Sequence, residues 1–305
     1  MTTLVFGHKS PDTDSTGSPI IWAWYLSHCG TPAEPRLLGE PNTEAAFMLT
    51  HWDLPKPALL TDLAPGTPVV IVDTNNPAEL PETINDAAIT GIIDHHMLVG
   101  GLKTRSPIDI TVRPLACTAT ILHDLIGGDL GHAPRSIKGA MLSCILSDTL
   151  QFRSPTTTPH DRAVAEKLAR ELGVDIPDLA AQLFAAKSDV SRFSDAELLR
   201  MDSKEYEIDG HDLRISVLET TAPKVLLDRK AALMAAMPGV AKEDDADQVL
   251  FFIIDILREE ATLLVPDDLT RTIAEASFGV TVTGDTVVLP GILSRKKQII
   301  PMLKL

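Results

Sequence analysis

Three short apolar runs in this chain each stop on an aspartate or a histidine. Gly91-Ile92-Ile93 ends on Asp94-His95-His96, Leu4-Val5-Phe6-Gly7 runs into His8, Asp12 and Asp14, and Val69-Val70-Ile71-Val72 ends on Asp73. Short apolar runs between polar boundaries suit buried strands, and strand burial gives no reason for acids and imidazoles at the end. In open α/β sheets, ligands bind in the crevice beyond the carboxyl ends of the strands. The three runs therefore predict one site, with oxygen and nitrogen donors converging from segments far apart in sequence.

Around these runs the pattern alternates. Strands are expected at residues 4–7, 69–72 and 89–93, and helices at Ile20–His28, Asn42–His51, Thr118–Ile126, from Pro134 to about Leu150, 160–172 and 177–187. Gly7–Ser15 reads as a loop, because Pro11 opposes helix and Asp, Ser and Thr favour turns. Alternation of strand and helix predicts an α/β fold, with a parallel sheet carrying helices on both faces. The polar stretch Lys187–Ser194 reads as a linker between an N-terminal domain, residues 1–188, and a smaller C-terminal mixed-sheet α/β domain, residues 195–305. In the second domain Asp209-Gly210 within Tyr206–Val217 signals a hairpin, a helix is expected over 223–236, and strands at Val249–Ile256, 263–265 and 287–289.

Bulk properties narrow the function classes. A formal net charge of −15 argues against a nucleic-acid partner, which needs a basic face. It leaves room for a small anion, since bound divalent cations invert the local sign of a site. No apolar run approaches the ~20 residues of a membrane span, and Met1-Thr2-Thr3 leads into a strand with no signal segment. A cytoplasmic protein without a membrane partner is expected. Cys29, Cys117 and Cys144 are odd in number and widely spaced, which reads as buried thiols in a reducing compartment.

The chemistry is weighed motif by motif. The Asp12-Thr13-Asp14 spacing alone fits turn and cap aspartates as well as ligands; His8 directly after a strand tips it towards metal. Asp73 reads equally as a turn cap or as a carboxylate bridging two metals. Asp148, near the end of a helix, opposes the helix dipole unless something cationic faces it. Asp94-His95-His96 carries the strongest signal, with the two imidazoles pointing different ways on an extended chain. Carboxylates and imidazoles without thiolates suit manganese, iron, cobalt or magnesium. Ser294-Arg295-Lys296-Lys297-Gln298 is a cationic cluster in an acidic chain. It reads as a solvated basic tail or, given Ile299-Ile300 beyond it, as an ordered phosphate clamp.

Six short pieces in one order make nearly the whole chain resemble the DHH phosphoesterase superfamily and, within it, the manganese-dependent family II inorganic pyrophosphatases. They are Gly7-His8 to Asp14-Ser15, Val72-Asp73, Asp94-His95-His96, Ser147-Asp148-Thr149, Asp202-Ser203-Lys204-Glu205 and Ser294 to Gln298. The resemblance implies two manganese ions per subunit, with cobalt or magnesium as alternatives and magnesium accompanying the substrate. It assigns His8 and Asp12 to the first ion, Asp14, His95 and Asp148 to the second, and Asp73 to both. It gives His96, Lys204, Arg295 and Lys296 to substrate and catalysis, and Asp94 to orienting a neighbouring histidine. The implied reaction is hydrolysis of pyrophosphate to two phosphates by a metal-activated water, in a homodimer. An exopolyphosphatase or nucleotide phosphodiesterase of the superfamily is the alternative. Exopolyphosphatase relatives typically carry Asn where this chain has His8, the glycine-rich motif of the exonucleases is missing, and no regulatory insert separates Asp73 from Asp148.

Overall fold

The structure, a computed structural model, describes residues 1–305 except Arg192, Asp209 and Leu305, and except the side chain of Lys296. The chain divides into two units, Met1–Lys187 and Ser188–Leu305.

The first unit is built on six parallel strands: β1 (Thr3–Phe6), β2 (Ala33–Leu37), β3 (Ala58–Leu59), β4 (Pro68–Val72), β5 (Ala88–Asp94) and β6 (Asp109–Val112). Their order is β3-β2-β1-β4-β5-β6, so β1, β4 and β5 are neighbours. Leu4 pairs with Val69 and Phe6 with Ile71, and Ile71 in turn pairs with Ile92. Three apolar runs distant in sequence thus end side by side. On one face Phe6, Val69, Ile71, Ile89 and Ile92 pack with Leu63, Leu80 and Ile84. Helices α1 (Thr13–His28), α2 (Thr43–His51), α3 (Thr118–Ile126), α4 (Arg135–Asp148), α5 (Pro159–Leu172) and α6 (Ile176–Lys187) complete the unit. Helix α1 touches α2, α3 and α4 as well as the sheet.

The second unit holds a five-stranded mixed sheet. Its strands are β7 (Ser203–Ile208), β8 (His211–Thr220), β9 (Gln248–Asp255), β10 (Glu260–Leu264) and β11 (Thr286–Pro290), in the order β11-β10-β9-β8-β7. Only the β8–β9 pair is parallel. Helices α7 (Asp195–Met201), α8 (Pro223–Leu227), α9 (Lys230–Glu243), α10 (Asp268–Phe278) and α11 (Ile300–Met302) complete it. Strand β9 is apolar from Val249 to Ile254 because both its faces are covered. Leu250, Phe252 and Ile254 join Ile273 and Ala274 of α10, whereas Val249, Phe251 and Ile253 join Leu198, Leu233 and Met237 of α7 and α9.

Several boundaries differ from the sequence expectation. Helix α1 begins at Thr13, inside the stretch read as a loop, because Asp12 caps it by accepting from Ser15 N–H at 2.9 Å. The helix expected over 223–236 breaks into α8 and α9. The strands β2, β3 and β6 and the helices α7 and α10 were not anticipated. The hairpin falls where Asp209-Gly210 predicts it, between β7 and β8, although Asp209 itself lies outside the described residues. Cys29 is exposed, against the expectation of a buried thiol, whereas Cys117 and Cys144 are buried.

Candidate metal centre

Each of the three strand ends delivers its donors by a different local device. After β1, Gly7 lets the chain pass Ser15 closely: a Cβ there would lie 2.1 Å from Ser15 Oγ, which accepts from His8 N–H at 2.8 Å. That contact seats His8 beside the first turn of α1, where Asp12 is the cap and Asp14 is buried. After β4, Asp73 takes a left-handed backbone with φ 60°, and its N–H donates to Ile93 O at 2.9 Å. After β5, the Asp94 carboxylate accepts from the N–H groups of both His95 and His96, at 2.8 and 3.1 Å, so the chain turns sharply. The two imidazoles consequently do not diverge as on an extended strand. Their ring centroids are 4.2 Å apart, and both gather against Asp73.

Asp73 is the common member. His8 Nε2 lies 3.7 Å from its Oδ2 and 3.7 Å from Asp12 Oδ2, and His95 Nε2 lies 3.4 Å from its Oδ1. His8, Asp12 and Asp73 form one group of donors within 4.8 Å of one another, and Asp73, His95 and His96 a second. Asp14 and Asp148, the remaining expected ligands, meet in a third such group together with Cys117. The expected second set is therefore spread over two groups, with His95 beside Asp73 and with Asp14 beside Asp148. Helix α3 joins them: Thr118 N–H donates to Asp14 Oδ2 at 2.6 Å and its hydroxyl to Asp73 Oδ1 at 3.1 Å.

The electrostatics call for a cation. Burial, and then the charges of Asp14, Asp12, Asp148 and Asp94, push the Asp73 carboxyl well above the ordinary range. Burial and the carboxylates of Asp14 and Asp12 do the same to Asp148. At Asp12 burial is outweighed by the His8 hydrogen bond and the Ser15 N–H, so this group lies below its ordinary value. Like charges crowded in low dielectric are stable only when protonated or when neutralised by a bound ion. Burial, and then the charges of Asp14 and Asp148, push the Cys117 thiol well up, and the other donors, carboxylate oxygens and imidazole nitrogens, fit a hard or borderline divalent ion. His95 Nδ1 faces Leu115 O at 3.1 Å, which fixes the tautomer and leaves Nε2 free as a donor atom.

Asp94 carries no expected ligand role, and its geometry is that of an organiser. It accepts from Asn75 Nδ2 at 2.6 Å and pairs with His96 Nδ1 at 2.8 Å. Burial acts against its charge, but the His96 and Asn75 hydrogen bonds prevail and hold it low; Asp94 in turn raises His96. Asn75, Thr118 and Cys117 escaped the sequence reading. The only signal for the last two was their position at the start of the expected helix 118–126.

Of the residues expected to hold substrate, His96 is in the first unit and half exposed. Lys204 stands on β7, paired with Ile215, and is exposed. Arg295 opens a π-helical turn, Arg295–Ile299, and donates to Asp202 O at 2.8 Å and to Asp202 Oδ1 at 2.7 Å, two residues before Lys204. The Lys296 side chain lies outside the described residues.

Two family models match the chain. Residues 2–148 match the DHH family N-terminal domain and residues 181–305 the DHHA2 domain, so fold and site define a two-domain DHH protein with a candidate metal centre in its first unit. A Deinococcus radiodurans protein classed as a manganese-dependent inorganic pyrophosphatase is 40% identical in an alignment 306 positions long that covers 98% of this chain and 97% of that protein. A Lactobacillus acidophilus protein of the same class is 34% identical over 302 residues, 98% of this chain and 97% of its own. The chain belongs to the manganese-dependent inorganic pyrophosphatase family. A crystal structure from Methanococcus jannaschii, assigned to family II inorganic pyrophosphatases, matches with a TM-score of 0.61 at 32% identity, covering 98% of this chain and 97% of that one. An exopolyphosphatase-related protein of Bacteroides fragilis, 14% identical, shares the fold at a TM-score of 0.52 over 98% of this chain and 89% of its own.

Proposed function

We propose that this chain hydrolyses inorganic pyrophosphate to two phosphates in a manganese-dependent reaction. The observation that carries this reading is the Asp73 carboxylate, which faces His8 with one oxygen and His95 with the other. A carboxylate so placed between two groups of donors is built to serve two ions. In this reading His8 and Asp12 would hold the first ion, Asp14, His95 and Asp148 the second, and Asp73 would serve both. Bound there, two divalent ions would supply charge neutralisation for the phosphate oxygens and acidify water at neutral pH.

The chain's own residues do the rest. His96, whose Nδ1 pairs with Asp94 Oδ1 at 2.8 Å, offers its other ring nitrogen to a phosphate oxygen. Lys204, Arg295 and Lys296 supply cationic contacts from residues 195–305, the substrate-binding domain, while residues 1–188 form the catalytic domain. Arg295 is already oriented by Asp202, as a preorganised clamp requires. Cobalt or magnesium can replace manganese, and magnesium accompanies the substrate.

The chain acts as a homodimer in the cytoplasm. Supporting the dimer, β6 ends its sheet with Ile110 56% exposed, beside a cavity of about 600 Å³ lined by Trp22, Leu26, Ile110 and Leu125. An edge strand with an apolar flank is suited to pairing with another copy. Supporting the compartment, the three cysteines are free thiols. Among the described residues, no helix is long and apolar enough to cross a membrane.

The test offers the manganese-loaded protein pyrophosphate, long-chain polyphosphate and a short oligoribonucleotide, and measures released phosphate or nucleotide. Preference for pyrophosphate by orders of magnitude is expected. Faster cleavage of either polymer would move the chain to exopolyphosphatase or phosphodiesterase chemistry.

A further inference from the structure

Glu44 is a buried acid for which the mechanism above has no use. It lies in the first turn of α2, fully excluded from solvent. Its Oε2 accepts from Ser147 Oγ at 2.8 Å and stands 3.3 Å from Lys187 Nζ, whereas its Oε1 has no hydrogen-bond partner among the described residues. Burying a carboxylate with half its acceptor capacity unused is unfavourable. A helix that only needed to pack would be better served here by an apolar side chain.

Its surroundings show what the acid holds. One face of α4 presents Gly139, Ser143 and Ser147 at four-residue intervals, the spacing of a single helical row. Each meets α2 or its C-terminal cap. Trp52 lies against Gly139, Trp52 Nε1–H donates to Ser143 Oγ at 2.9 Å, and Ser147 donates to Glu44. The row ends one residue before Asp148. Lys187, the last residue of α6 and of the first unit, closes on the same carboxylate.

We propose that Glu44, anchored by Lys187, is a positioning residue for the metal centre, fixing through Ser147 the helical turn that carries Asp148. The proposal rests on the reading of Asp148 as a metal ligand. Glu44 touches neither ion nor substrate in this scheme, and acts through Ser147.

The full-length chain and the variants Glu44→Gln, Lys187→Met, Lys187→Arg and the double variant Glu44→Gln/Lys187→Met are titrated with Mn²⁺ without substrate by calorimetry, alongside Tm. Partners behind metal ligands typically contribute ~10–100-fold in affinity. Glu44→Gln and Lys187→Met are each expected to weaken Mn²⁺ binding by about 10-fold, Lys187→Arg to restore it, and the double variant to be no weaker than either single one, since the pair acts as a unit. A lowered Tm with unchanged Mn²⁺ affinity would make Glu44 merely structural and overturn the proposal, as would fully additive losses. Should Glu44→Gln fail to fold, the contrast between Lys187→Met and Lys187→Arg decides alone. Failure of the metal or substrate reading appears in the wild-type chain, as absent Mn²⁺ binding or absent pyrophosphate cleavage. Failure of this proposal appears only in the variants.

Discussion

Asp73 and His95 face each other across 3.4 Å, carboxylate Oδ1 to imidazole Nε2, at the ends of adjacent parallel strands. The backbone of Asp73 is left-handed, with φ 60°. Asn is among the few residues that tolerate this conformation, so Asp73→Asn removes the charge without straining the turn. The expected outcome is loss of Mn²⁺ affinity beyond the ~10–100-fold typical of partners one layer further out, near-complete loss of pyrophosphate hydrolysis, and an unchanged far-UV circular dichroism spectrum. Wild-type turnover in saturating manganese would remove Asp73 from the centre.

Metal binding and protonation are coupled. Burial and neighbouring carboxylates raise Asp73 and Asp148 in the folded chain. A carboxyl raised on folding binds more protons folded than unfolded, so the metal-free fold loses stability as pH climbs from the ordinary carboxylate range through the raised value. Manganese reverses this by replacing the protons. The rise in Tm on adding Mn²⁺ should therefore be larger at neutral than at mildly acidic pH, and calorimetry in buffers of different ionisation enthalpy should show proton release. An Mn²⁺-induced Tm shift independent of pH would contradict the coupling.

Arg295 is tied to Asp202 within its own unit. Arg295→Ala should leave Mn²⁺ affinity nearly unchanged and lower kcat/KM for pyrophosphate by about one to two decades, the equivalent of one charge-assisted contact to phosphate at roughly 1.5–3 kcal/mol. Paired manganese titration and steady-state kinetics check this. Unchanged kinetics would return Ser294–Gln298 to a solvated basic segment.

Gly139 gives a stability test remote from the donors. A Cβ at this position would lie 2.1 Å from Trp52 Cδ2. Overpacking of this kind costs about 1–3 kcal/mol, so Gly139→Ala should lower Tm by several degrees despite the better helix propensity of alanine. A Tm equal to wild type would mean that α2 and α4 separate without penalty.

The dimer reading has its own variant. Ile110→Glu places a charge on the exposed face of β6, and analytical ultracentrifugation should show a dimer for the wild type and a monomer for the variant. A variant sedimenting with the wild-type dimer would locate the interface elsewhere.

The sequence alone determined the elements whose cause is local. The apolar runs at Leu4–Phe6, Val69–Val72 and Gly91–Ile93 are strands because short apolar stretches between polar boundaries have little alternative. That each ends on Asp or His is also written in the chain. The start of α1 escaped the reading because the Asp12 cap outweighed the turn signals around Pro11. Helix α10 was missed although its cap, Asp267 accepting from Thr270 N–H, is a local motif. What only the tertiary structure decided is convergence. The strand order β1-β4-β5 puts Phe6, Val72 and Asp94 at one edge of one sheet, and neither β pairing nor crossover is encoded by neighbours in sequence. The same holds for Thr118 and Cys117, brought to the carboxylates by the N-terminus of α3, and for Glu44, which meets Ser147 across 103 residues. Backbone period and capping act over a few residues. A site of this kind depends on contacts between segments far apart in sequence, 45 residues for Thr118 with Asp73 and 104 for Thr118 with Asp14, which exist only once the sheet has paired and the helices have packed.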